Sequence, residues 1–127
     1  MDKLIFMADD DKLVLKVFEK NFGEKGFKVE VASDGEEAKK KIQEMSLPPT
    51  VFLLDVMMPK LNGFELLAFI KSQEKFKTVP VVFLTNLDSP EESKKAIQMG
   101  ASLYLIKSGT LPREIIKKVE ELIDKKP

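Results

Sequence analysis

The chain has 127 residues, with 21 basic and 21 acidic side chains and no cysteine, histidine or tryptophan. Those absences exclude disulfides, thiolate nucleophiles, cysteine-held metal centres, imidazole bases and Ser-His-Asp triads, leaving carboxylates, hydroxyls, lysine, arginine, backbone groups and hard cations for any chemistry. A composition of 43% hydrophobic and 33% charged residues describes a folded globular domain, and zero formal net charge argues against direct nucleic-acid binding.

In chain order, Leu4 to Ala8 reads as a strand buried on both faces, with Asp9, Asp10 and Asp11 at its end. A helix follows over Lys12 to Lys25, with Val14, Val17, Phe18 and Phe22 at helical spacing and Gly26 just beyond. Lys28 to Ala32 alternates polar and apolar residues like an edge strand. Asp34-Gly35 turns the chain into a short helix, Glu36 to Met45, with Ala38, Ile42 and Met45 inward, which Pro48-Pro49 breaks. Thr50 to Leu54 is the most apolar strand and ends at Asp55. After a Pro59 to Gly63 loop come an apolar helix, Phe64 to Ser72, and a fourth strand, Val79 to Leu84, ending at Thr85.

Ser89-Pro90-Glu91-Glu92 predicts a helix start with Ser89 and Glu92 forming a capping box, and that helix ends at Gly100. Ser102 to Ile106 is a fifth strand, followed by Lys107. The last helix, Leu111 to Asp124, places Ile115, Ile116, Val119, Leu122 and Ile123 on one stripe. The apolar runs are too short to span a bilayer, and Met1-Asp2-Lys3-Leu4 opens no signal peptide. The expectation is one cytoplasmic domain over residues 1–127 without membrane association.

Five strands each followed by a helix imply an α/β fold, a parallel sheet covered on both faces. Ligands of such sheets bind outside the carboxyl ends of the strands. Those ends carry Asp9, Asp10, Asp55, Thr85 and Lys107. Carboxylates at neighbouring strand ends repel unless a positive partner intervenes. A divalent cation, magnesium or manganese for all-oxygen ligation, and Lys107 both fit. Carboxylates, a hard cation, a lysine and a hydroxyl are the parts that handle a phosphoryl group.

The acidic cluster, Asp55-Val56-Met57-Met58-Pro59 with Gly63 four residues on, Thr85 and Tyr104-Leu105-Ile106-Lys107 together resemble the receiver domain of two-component response regulators, over essentially the whole chain and in the same order. The resemblance implies a flavodoxin-like doubly wound five-stranded parallel sheet, order 2-1-3-4-5, with five helices on both faces. It implies Asp55 as phosphoacceptor, Asp9 and Asp10 with Asp55 and the Met57 carbonyl as ligands of Mg2+ (or Mn2+), and Thr85 and Lys107 as partners of the phosphoryl oxygens. Thr85 and Tyr104 would form the switch. The phosphoryl group would come from a sensor histidine kinase or a histidine phosphotransfer protein, be lost slowly by self-catalysed hydrolysis, and alter docking to a downstream target by a monomer or a phosphorylation-dependent homodimer.

Each residue also has a plainer reading. Asp11 serves best as a helix cap, whereas Asp9 and Asp10 exceed what a cap requires. An EF-hand is excluded by Leu13, Val14 and Val17 at positions needing oxygen ligands and glycine. Thr85 and Lys107 taken singly are ordinary strand-end residues, and Tyr104 is either a switch or sheet packing. Leu13, Leu15 and Phe69 are expected partly exposed, the first two beside the acidic site as a docking surface. A non-phosphorylated scaffold, an aspartyl phosphohydrolase and a flavin-binding domain are the rivals. The phosphohydrolase lacks the second acid at Met57, and the acidic loop would repel a flavin phosphate. The chain reads as a stand-alone receiver or as one cut from a longer regulator.

Two positions depart from the family pattern. Asn86 follows the threonine where a small residue is usual. Ser108 follows Lys107 where the family has proline, commonly after a cis bond that costs ~3 kcal/mol without proline. Apolar Met57 and Leu87 offer no group to orient an attacking water, which implies a long-lived phosphorylated state.

Overall fold

A computed structural model describes residues 3–125. Residues 1–2 and 126–127, which the leader reading and the expected domain limits touch, lie outside the described residues. The strands are β1 (Lys3–Ala8), β2 (Phe27–Ala32), β3 (Val51–Leu54), β4 (Val81–Thr85) and β5 (Leu103–Ile106). The helices are α1 (Lys12–Glu24), α2 (Gly35–Gln43), α3 (Gly63–Ser72), α4 (Pro90–Gln98) and α5 (Pro112–Asp124). All strand pairs are parallel, in the order β2-β1-β3-β4-β5. This is the expected doubly wound, flavodoxin-like sheet.

Period-two alternation along the strands divides the interior into two cores. Phe6, Phe52, Leu54, Val81 and Phe83 face Ala38 and Ile42 of α2, Leu66, Leu67 and Ile70 of α3, and Ala96 of α4. Ile5, Met7, Val51, Leu53, Val82 and Leu84 face Leu15, Phe18 and Phe22 of α1 and Ile115, Ile116 and Val119 of α5. Both faces of β3 and β4 are therefore buried, which is why those segments are continuously apolar. Edge-to-face rings tie the first core together, with Phe52 packed 5.8 Å from Phe6 and 5.5 Å from Phe76.

Several details differ from expectation. Leu15 is buried and joins the core stripe with Phe18 and Phe22, while Val17 lies at the surface. Leu15 thus contributes to packing rather than docking; Leu13, 70% exposed, remains a surface residue. Strand β4 begins at Val81 because Pro80 has no N–H to donate; its carbonyl accepts from Phe52 N–H instead. A 3-10 turn at Glu74–Phe76, absent from the sequence expectation, buries Phe76 under the sheet.

Helix starts also differ. Ser89 Oγ accepts from Glu92 N–H at 3.3 Å, but the Ser89 N–H donates to the Leu87 carbonyl, so half of the expected box forms. The complete capping box is at α3, between Asn62 and Glu65. Asp11 caps α1 as expected, accepting from Leu13 and Val14 N–H. Gly26, with φ of 91°, follows α1 in the left-handed region. Every peptide bond among the described residues is trans, Lys107–Ser108 included.

Among the described residues no helix is long and apolar enough to cross a membrane. Gly63 sits where a side chain cannot. A Cβ there would overlap the Asp55 carbonyl and lie 2.8 Å from Phe83 Cε1. Gly63→Ala is therefore expected to lower stability by about 1–3 kcal/mol, read as a reduced urea midpoint with an unchanged m-value.

Candidate functional site

The strand-end residues are positioned by backbone bonds that prolong the sheet by one step. Asp9 N–H donates to the Ala32 carbonyl at 3.1 Å, Asp55 N–H to Ala8 at 3.0 Å, and Lys107 N–H to Thr85 at 2.8 Å. Each side chain thus leaves a backbone still held by the neighbouring strand. Asp9 and Asp55 flank the reversal of strand order between β1 and β3, the position at which doubly wound sheets open a ligand crevice.

Lys107 unites the cluster. Its Nζ donates to Asp9 Oδ2 at 2.8 Å and to Asp55 Oδ2 at 3.1 Å. The other carboxylate oxygens accept backbone donors, Asp9 Oδ1 from Asp11 N–H at 2.9 Å and Asp55 Oδ1 from Met57 N–H at 3.2 Å. Asp9 and Asp55 are buried; Asp10 faces solvent. Oxygens of Asp9, Asp10 and Asp55 all lie within 4.8 Å of one another. One ammonium against three carboxylates leaves a net negative, all-oxygen cluster whose donor chemistry fits a hard divalent cation.

Burial raises the Asp9 carboxyl above its ordinary range, against the lowering effect of the Lys107 and Asp11 hydrogen bonds; the charge of Asp55 raises it further. For Lys107, burial acts to lower the pKa but is outweighed by the hydrogen bond to Asp9 and the charges of Asp55 and Asp9, so the ammonium is held above its usual value. Lys107 therefore remains charged throughout the neutral range.

A cleft of about 330 Å³ opens over the cluster, lined by Asp10, Asp55, Met57, Asn86, Leu87 and Lys107 among others. Thr85 Oγ1 accepts from Leu87 N–H at 3.2 Å, and Tyr104 donates its hydroxyl to the Leu87 carbonyl at 2.6 Å. Leu87 is thus held by β4 on one side and β5 on the other. Tyr104 also packs on Phe83, centroids 6.1 Å apart. Burial raises its hydroxyl pKa, as do the charges of Glu92, Asp55 and Asp88.

All seven expected site residues lie at this end of the sheet: Asp9, Asp10, Asp55 and Lys107 in the cluster, Met57 and Thr85 on the cleft wall, and Tyr104 behind Leu87. Sequence reasoning missed the mutual contact of the two unusual residues. Ser108 Oγ donates to Asn86 Oδ1 at 2.8 Å. Their shared position, one residue beyond Thr85 and Lys107, was the available signal.

The sequence matches the family model of the response regulator receiver domain over residues 5–120. It is 32% identical over 123 residues to the alkaline phosphatase synthesis transcriptional regulatory protein PhoP of Bacillus subtilis, a match covering 97% of this chain and 49% of that protein. It is 32% identical over 103 residues to protein PilG of Pseudomonas aeruginosa, covering 81% of this chain and 75% of that one. The chemotaxis response regulator CheY4 of Vibrio cholerae superposes with a TM-score of 0.87 at 27% identity, covering 96% of this chain and 99% of that chain. The chain spans about half the length or less of several curated relatives it matches.

The raised pKa of Asp9 has a measurable consequence. The folded protein takes up a proton at Asp9 at higher pH than the unfolded chain does, so in metal-free buffer this residue adds stability as pH falls from neutrality towards the ordinary aspartate range. Wild type should gain stability relative to Asp9→Asn over that interval, measured by urea unfolding of both proteins at matched pH. Parallel pH profiles would contradict the assignment.

Proposed function

The chain belongs to the receiver domain family of two-component response regulators, and on that premise we propose that Asp55 is its phosphoacceptor. The observation that carries the reading is the Lys107 ammonium joining Asp9 and Asp55 beside Asp10, at the floor of an open cleft. The carboxylates of Asp9, Asp10 and Asp55 and the Met57 carbonyl would hold magnesium or manganese. When bound, that ion supplies positive charge to the phosphoryl oxygens and offsets repulsion between them and the attacking carboxylate.

An Asp55 carboxylate oxygen attacks phosphorus, forming an O–P bond as the N–P bond of a partner's phosphohistidine breaks and the imidazole nitrogen regains its electron pair. Lys107, already within 3.1 Å of Asp55, offers its charge to the arriving oxygens. Thr85 accepts from Leu87 N–H and keeps its own hydroxyl proton to donate to the phosphoryl group. Hydrolysis reverses the modification: water oxygen bonds to phosphorus, the Asp55 O–P bond breaks, and inorganic phosphate leaves.

Leu87 links this chemistry to the surface. A Thr85 hydroxyl drawn to a phosphoryl oxygen disturbs its bond to Leu87, whose carbonyl holds Tyr104. Thr85 and Tyr104 thereby form the switch, and the exposed surface beyond them engages a downstream target, by a monomer or a phosphorylation-dependent homodimer. An apolar groove of about 300 Å³ beside Lys107, lined by Leu13, Val14, Val17, Phe18, Pro112 and Ile115, supports docking of the helix that brings the phosphohistidine. That helix belongs to a histidine kinase or phosphotransfer protein, and the cytoplasm is the compartment in which they meet. The receiver forms a single domain that includes the matched residues 5–120.

Incubation with acetyl phosphate and magnesium, followed by intact-mass measurement, tests the reading. Wild type is expected to gain one phosphoryl group and Asp55→Asn none, while Asp10→Asn requires more magnesium for the same extent of modification. An unmodified wild type, where a control receiver reacts, would favour a scaffold that keeps the fold without phosphorylation.

A further inference from the structure

Asn86 and Ser108 occupy equivalent places, the first directly after Thr85 and the second directly after Lys107, in the loops that leave β4 and β5. One step deeper, Lys107 N–H donates to the Thr85 carbonyl. The Ser108 to Asn86 hydrogen bond, 2.8 Å long, therefore continues the β4–β5 pairing with side chains after the backbone ladder has ended. Gly109 turns the chain immediately afterwards with φ of 79°, and Thr110 N–H returns to the Lys107 carbonyl at 3.4 Å.

Both residues are exposed, so neither fills the core. A hydrogen bond at the surface competes with water and adds little to folding. Its position is more informative. Asn86 is at once exposed and part of the cleft lining with Asp55, Met57, Leu87 and Lys107, which places it on the rim. Accepting from Ser108 pins the Asn86 amide at Oδ1 and joins the loop that carries Leu87 to the loop that carries Lys107.

We propose that Asn86 and Ser108 form a latch across the rim of the Asp55 cleft that limits how fast water and small phosphodonors reach Asp55. The proposal rests on the phosphoacceptor reading above. Hydrolysis needs a water on the side of phosphorus opposite the Asp55 O–P bond, and Asn86 lines the cleft through which that water would come. The latch acts by holding Asn86 in place, so Ser108 is a positioning residue. Bulk at position 86 is a separate property: a leucine keeps the volume and removes the acceptor.

Two rates are read by intact mass on the full chain: loading from acetyl phosphate with magnesium, and loss after the donor is removed. Ser108→Ala and Asn86→Leu should each speed both rates about three- to tenfold, the range corresponding to one hydrogen bond. Because they break the same bond, the double variant should be no faster than either single one. Ser108→Thr restores the hydroxyl and should return both rates to wild type, with thermal midpoints unchanged throughout. Wild-type rates in both single variants would overturn the latch, as would a double variant showing the product of the two single effects. A wild type that takes up no phosphoryl group overturns the phosphoacceptor reading as well, which distinguishes the two failures.

Discussion

The Lys107 ammonium lies between the carboxylates of Asp9 and Asp55 and connects the last strand of the chain to the first and third. Burying two carboxylates with a third nearby carries a large desolvation and repulsion cost, which no apolar packing can offset locally. A single cation bonded to both is what makes the arrangement tolerable. It does not neutralise it, because one positive charge faces three negative ones. The cluster consequently keeps a net negative charge and an all-oxygen donor set of the kind that suits a hard divalent cation.

The rest of the molecule holds those groups in place. Two separate cores clamp the sheet, so β1, β3 and β4 cannot slide without exposing both faces at once. Backbone bonds beyond the strand ends carry that rigidity to Asp9, Asp55 and Lys107. Gly63 allows α3 to start directly against the Asp55 carbonyl, bringing an entire helix to the back of the site. Full burial ends at β4: Thr85 is buried, whereas Asn86 and Asp88 are exposed and Leu87 and Ser89 half-buried.

That boundary is where chemistry can become signal. Leu87 has its N–H on Thr85 and its carbonyl on Tyr104, so one residue feels both the cleft and the outer face of β5. Asn86, its neighbour, is held by Ser108. The two unusual residues are therefore one structural feature, and it joins the loop that carries Leu87 to the loop that carries Lys107.

The parallel α/β sheet and most strand ends were legible in the sequence because they depend on local properties: short apolar runs, helical stripes, and polar residues that terminate them. Asp55 stood out because a carboxylate closing the apolar strand Val51–Leu54 is costly to bury unless it has a task. Where the local signal was degenerate, legibility failed. Leu13, Val14, Leu15, Val17 and Phe18 offer overlapping apolar stripes, and only packing against α5 and the sheet selected Leu15 over Val17. The Ser89 box failed because Leu87 already accepted the N–H it required. Lys107 and Asp9 are 98 positions apart, and Asn86 and Ser108 are 22 apart. The sequence by itself determined which groups stand at the strand ends, since that follows from residue order. Only the tertiary structure decided which of them touch, because contact depends on strand order, register and loop path, and these are settled by burying the two cores together.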